Sequence, residues 1–178
     1  RVIDILPEFA AHNKQDVRII HLLTHTSGLP AQNRVSRTAQ NSTETVRLTL
    51  SMYLSHETGT RELYTDLGYL ALGEIVTRLT NKPLNQFAHD EIFHPLAMVD
   101  TSFNPREELH WRCAATEDNP ARGGIIIGEV HDEKAYLMNG VAGHAGLFST
   151  APDLMRFGRM ILGQGRFEGT RILSTAAA

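Results

Sequence analysis

The sequence predicts a mainly helical α+β chain with a few short strands, and three features of its 178 residues carry that expectation. Apolar residues recur at spacings of three and four through the region of about 16–96. From about 97 to 150 the period gives way to Asn-Pro, Gly-Gly and similar turn-forming pairs, joined by short extended pieces. One capped, amphipathic segment then occupies about 151–162. The whole of 1–178 reads as one partial domain made of these three regions.

The first helix is expected from Asp16 to Thr26: Asp16 can cap it, Val17, Ile20 and Leu23 stand three apart, and Gly28 followed by Pro30 stops it. Ala31 to Asn41 is polar and aperiodic, and reads as an exposed loop. Ser42 then caps a helix over Thr43–Leu54, with Val46, Leu50, Tyr53 and Leu54 on one side. The strongest helix follows Tyr64-Thr65-Asp66; Gly68, Ala71, Leu72, Ile75 and Leu79 form its inner stripe, while Glu74 and Arg78 pair on another side. Gly68 and Gly73 each cost up to ~1 kcal/mol inside a helix, which implies a closely packed neighbouring backbone or a later helix start. Asn81 ends that helix, and Pro83 opens the next through Phe87 and Ile92.

Ile125 to Val130 is the expected strand. Gly140-Val141-Ala142-Gly143-His144-Ala145-Gly146 holds three glycines in seven residues, a density that implies unusual backbone conformations or the close approach of another group. Thr150 with Asp153 resembles a capping box, and Leu154, Phe157 and Ile161 form the buried stripe of a last helix that stops at Gly163.

Seventeen Lys and Arg against 20 Asp and Glu fit neither an acidic disordered tail nor a basic nucleic-acid-binding face. The single cysteine, Cys113, excludes an intrachain disulfide framework and a thiolate zinc cluster, and reads as a small buried hydrophobe. No apolar run approaches the ~20 residues that span a bilayer, so no membrane segment is expected in this chain. The chain starts at Arg1 rather than Met, which suggests a start inside a longer protein, and the closing Ala176-Ala177-Ala178 reads as a truncation, a tag remnant or residues of unresolved identity.

Three groups of residues could carry chemistry. Tyr64-Thr65-Asp66 places a phenol at a helix N-terminus, where the unpaired amides favour negative charge. That field supplies only ~0.3–1 kcal/mol, so a neighbouring lysine would have to add to it, and an ionised Asp66 would oppose it. The alternative is a structural tyrosine with Asp66 as the helix cap. His21 and His25 stand four apart, the spacing of a zinc hydrolase, and His131, Asp132 or His144 could complete a site. Leu22, however, stands where the general-base glutamate would follow the first His. The glycine-rich run around His144 matches neither a phosphate loop nor a dinucleotide fingerprint, and reads as a tight turn against a site. No Gly-x-Ser-x-Gly elbow occurs.

Four blocks taken together carry a resemblance: Leu22-Leu23-Thr24-His25-Thr26-Ser27-Gly28-Leu29-Pro30; Tyr64-Thr65-Asp66-Leu67-Gly68-Tyr69; Pro95-Leu96-Ala97-Met98 with Thr101-Ser102-Phe103; and Gly143-His144-Ala145-Gly146-Leu147-Phe148-Ser149-Thr150 with Asp153-Leu154 and Phe157-Gly158. In order and spacing they resemble the serine β-lactamase and penicillin-binding-protein superfamily, in the branch of class C β-lactamase-related hydrolases and esterases. The resemblance implies a portion of a β-lactamase/transpeptidase-like fold, with the central antiparallel sheet largely missing. It also implies a serine hydrolase that forms an acyl-enzyme on an amide, ester or β-lactam carbonyl.

Of the three motifs of such enzymes only the middle one is present, as Tyr64-Thr65-Asp66, with Asp66 in place of the usual Asn. The resemblance therefore makes Tyr64 the catalytic proton relay and Asp66 its supporting residue, and Gln32 resembles a glutamine that contacts a substrate amide. None of Lys14, Lys82 and Lys134 lies three residues after a serine, so the Ser-x-x-Lys is expected upstream of Arg1 and the third motif beyond residue 178. The chain alone is then expected to be inactive. No cofactor and no metal are implied. The implied partners are a small-molecule or peptidoglycan-like substrate and the rest of the polypeptide or an oligomer partner. The residues do not fix localisation; the resemblance favours a periplasmic or other extracytoplasmic one. A non-catalytic binding protein of the same fold, or a His-ligated metal hydrolase, are the alternatives.

Overall fold

A computed structural model describes residues 1–178. The helices are α1 Ile19–Leu23, α2 Val35–Thr38, α3 Ser42–Leu50, α4 Asp66–Thr80, α5 Leu84–Ala88, α6 Glu133–Leu137 and α7 Ala151–Leu162. The strands are β1 Ser102–Phe103, β2 Ala115–Asn119, β3 Gly124–Ile127, β4 Leu147–Phe148, β5 Arg166–Phe167 and β6 Thr170–Arg171. They form only two-stranded antiparallel sheets, β1 with β4, β2 with β3 and β5 with β6. The fold is therefore the mainly helical α+β arrangement expected. The chain divides into two compact units, Arg1–Leu84 with Val130–Gly146, and Asn85–Glu129 with Leu147–Ala178.

In the first unit α4 is the central helix, packed on α1 and α3, while α2 and α3 both meet α6. Its buried face is Leu67, Gly68, Leu70, Ala71, Gly73 and Ile75, joined in one core by Val2, Leu6, Phe9, Val17, Leu22, Leu29 and Leu50. Each fully buried Leu or Phe contributes ~1.5–3 kcal/mol. Leu79, expected on the inner stripe, is exposed, because the buried face turns away before the last turn. Asn81 adopts the left-handed conformation at φ 54° and its N–H donates to the Thr77 carbonyl, which ends α4 at the predicted place.

Several local expectations are corrected. The first helix is confined to Ile19–Leu23, since Val17 is held by a turn and His25 is left-handed at φ 56°. The polar stretch 31–41 contains α2, anchored by the buried Val35 and Ala39. Asn41 rather than Ser42 caps α3, its side chain accepting from Glu44 N–H at 3.0 Å. Tyr53 lies beyond that helix, exposed, stacked on His12 at 3.6 Å.

The second unit builds its core from Ala88, Phe93, Leu96, Met98, Met160 and Phe167. Asp153 makes no capping box. It is buried and accepts from the Asp100 N–H and the Thr101 hydroxyl, both at 2.8 Å. A carboxylate so used ties α7 to the turn before β1. Leu154, Phe157 and Ile161, expected as a buried stripe, lie at the surface together with Met155 and Leu162. The strand expected over 125–130 is β3, ending at Ile127, and Cys113 is half-buried rather than core.

Candidate active site

Tyr64 enters the fold through its neighbours. Thr65, not Asp66, caps α4: its hydroxyl oxygen accepts from Leu67 N–H at 3.3 Å and donates to the Pro30 carbonyl at 2.8 Å. His25 holds the other side of the segment. Its carbonyl accepts from Leu63 N–H at 2.9 Å and its Nδ1 accepts from Thr65 N–H at 3.4 Å. The same imidazole leans on the Tyr64 ring at 4.6 Å and on Tyr69 at 5.2 Å, and the Tyr69 hydroxyl donates to the Leu23 carbonyl at 3.1 Å. Backbone on both sides of Tyr64 is thus fixed, while Tyr64 itself is 70% exposed.

The loop carrying His25 is itself pinned. Ser55 N–H donates to the Gly28 carbonyl and Gly59 N–H to the Thr26 carbonyl, both at 2.8 Å, and the Thr58 hydroxyl donates to the Ser27 carbonyl at 2.9 Å. Gln32 lies on the exposed bend two residues past Pro30, the residue that accepts from Thr65. The remaining expected site residue, Asp66, is the first residue of α4 and is partly buried.

Asp66 is not alone. The glycine-rich loop packs directly on α4: a Cβ at Gly143 would fall on the Tyr69 carbonyl oxygen, and one at Gly73 would lie 3.2 Å from the Gly143 nitrogen. This is the close backbone approach that the three glycines imply, and it brings His144 and the start of α6 to the first turn of α4. Lys134, only 8% exposed, sets its Nζ 3.1 Å from Asp66 Oδ2 and 3.6 Å from Asp132 Oδ2. Asp132 caps α6, its Oδ1 accepting from Ala135 N–H at 2.8 Å and meeting His144 Nε2 at 2.7 Å.

Burial disfavours both charged forms in this cluster, yet the partners prevail. The Asp132 carboxyl is raised by desolvation but held well below the usual carboxylate range by the His144 hydrogen bond, the Ala135 amide and the charges of His144 and Lys134. Desolvation lowers the Lys134 ammonium, while Asp132 and Asp66 together lift it above the ordinary lysine value. Because an ionised Asp132 can only accept, His144 Nε2 is the donor, and its Nδ1 is left buried without a partner.

Asp66, Asp132 and His144 offer ligand atoms within 4.8 Å of one another, a grouping that contains neither His21 nor His25. His21 instead accepts from Arg18 N–H, and His25 anchors Thr65. The Lys134 ammonium already lies against both carboxylates. The lysine that the structure brings to this segment, Lys134, lies against Asp66 and Asp132, and no local pattern joins positions so far apart in the chain.

Comparison with known proteins shows the family of the chain. The Beta-lactamase family model matches residues 1–178. The N-acetylmuramyl-L-alanine amidase of Bacillus subtilis (strain 168) is 35% identical over 186 residues, covering 93% of this chain and 42% of the amidase. A protein of Escherichia coli (strain K12) with the provisional name D-alanyl-D-alanine carboxypeptidase is 32% identical over 201 residues, covering 98% of this chain and 46% of its own length. This chain therefore spans less than half the length of these relatives. Among solved structures, a family VIII carboxylesterase superposes with a TM-score of 0.76 at 21% identity, covering 99% of this chain and 51% of the esterase. With a family model matched from end to end, relatives above 30% identity and the same fold, the chain belongs to the beta-lactamase family.

Proposed function

We propose that this chain supplies the proton-relay half of a serine hydrolase whose nucleophile lies in additional polypeptide. The serine of a Ser-x-x-Lys attacks an amide or ester carbonyl, and Tyr64 takes and returns the proton together with that motif's lysine. Water then releases the acyl group. Asp66 supports the tyrosine segment, and Gln32 contacts the substrate amide from the adjoining bend. The substrate class is a peptidoglycan-like amide or D-amino-acid peptide, a reading supported by the amidase and carboxypeptidase names of the relatives above 30% identity. By itself the chain does not turn over substrate.

The observation that carries this reading is the exposure of Tyr64. A structural tyrosine finds a hydrogen-bond partner for its hydroxyl, as the half-buried Tyr69 does; Tyr64 instead keeps its hydroxyl free beside the cap of α4. An accessible phenol on fixed backbone is what a proton relay needs.

The test is Tyr64→Phe in the full-length polypeptide, assayed on D-alanyl peptides and on a simple ester. Loss of a general acid–base group lowers kcat by about 10²–10⁴-fold, with KM changing little. Wild-type turnover of both substrates by the variant would remove Tyr64 from the mechanism.

A further inference from the structure

We propose that Lys134 is a positioning residue for Tyr64: its ammonium neutralises the Asp66 carboxylate and fixes it two residues from the phenol, while Asp132, held by His144, keeps that ammonium in place. The inference rests on the reading of Tyr64 as a proton relay, and it explains how an acidic residue is accommodated beside that relay.

A relay phenol passes through a state with more negative charge on its oxygen. An unbalanced carboxylate two residues along the chain, at the start of α4, opposes that state by like-charge repulsion. The Lys134 ammonium, largely buried, lies 3.1 Å from Asp66 Oδ2 and offsets this charge at close range.

The division of labour within Asp132 supports the same role. Its Oδ1 serves α6 and His144, and its Oδ2 faces Lys134, so a residue that would otherwise be only a helix cap also orients the ammonium. A lysine buried with one carboxylate would leave donors unmet; two carboxylates on different elements define its position. His144 completes the chain at a cost, since its Nδ1 is buried without a hydrogen bond. Gly143 lets that ring reach Asp132, because any Cβ there would collide with the Tyr69 carbonyl of α4.

The experiment uses the full-length polypeptide, with active sites counted by a serine-directed fluorescent phosphonate and kcat expressed per labelled site. Lys134→Met leaves Asp66 unbalanced and lowers kcat about 10–100-fold with KM within about twofold. Adding Asp66→Asn removes the stranded charge and raises kcat at least about threefold above that of Lys134→Met alone. If Lys134→Met lowers only the melting temperature and leaves kcat per site unchanged, Lys134 is merely structural and the inference is overturned. It is overturned equally if the double variant is no faster than Lys134→Met.

Should Lys134→Met alone fail to fold, the double variant, which carries no stranded charge at Asp66, decides the matter: folded and active supports the inference, folded and as slow as Tyr64→Phe contradicts it. Tyr64→Phe separates the two levels. Full activity in that variant removes the relay reading, whereas an inactive Tyr64→Phe beside a wild-type Lys134→Met removes only the positioning role.

Discussion

Two lysines of the first unit show how differently the same residue type can be buried. Lys134 has two carboxylates and is lifted above its ordinary range. Lys14 has none: it is fully buried, donates to the Met52 carbonyl at 2.5 Å, lies 4.9 Å over the Phe9 ring, and is pushed by burial from 10.5 to about 8. Keeping that amine charged at pH 7 therefore costs on the order of 3 kcal/mol. Between pH 8 and 10.5 the unfolded chain binds more protons than the native one, so stability rises with pH across that window. Lys14→Met is expected to gain about 1–3 kcal/mol at pH 7 by urea unfolding, with the gain fading as pH approaches 10.5. A variant less stable than wild type at both pH values would show that the hydrogen bond and ring contact outweigh the desolvation.

At the scale of elements, glycine placement decides how α4 meets its neighbours. Gly68 lies against the Leu22 carbonyl and Gly73 against the loop at Gly143, so both helix glycines that seemed costly are explained by close packing. Gly143→Ala is expected to cost about 1–3 kcal/mol in urea unfolding, because the backbone of α4 cannot yield without disturbing the core. Gly158, inside α7 with nothing near its would-be Cβ, is the counterpart, and Gly158→Ala should add about 0.4–1 kcal/mol. Equal effects at the two sites would refute the packing argument.

Much of this level was legible in the chain. The end of α4 at Asn81, the helix beginning near residue 151 and the tight approach of the glycine run follow from local chemistry. The ion cluster was not legible, since Asp66 and Lys134 meet only after α6 folds back on α2 and α3. Nor was Asp153, whose spacing from Thr150 suggests a cap but whose carboxylate is claimed by Asp100 and Thr101.

For the whole molecule, periodicity correctly marks α7 as amphipathic, but it cannot say what lies on the apolar side. Leu154, Met155, Phe157, Ile161 and Leu162 form that side and are exposed, and the sheets stop at two strands each. No helix is long and apolar enough to cross a membrane. Together with relatives more than twice as long, the uncovered face supports the proposal that further polypeptide completes both the fold and the site. The decisive measurement is the rate at which a fluorescent serine-directed phosphonate phosphonylates the full-length polypeptide, wild type against Tyr64→Phe. The account predicts stoichiometric labelling of the wild type, labelling slower by at least about 100-fold in the variant, and none of the 178-residue chain by itself. Equal labelling rates in wild type and variant would contradict it.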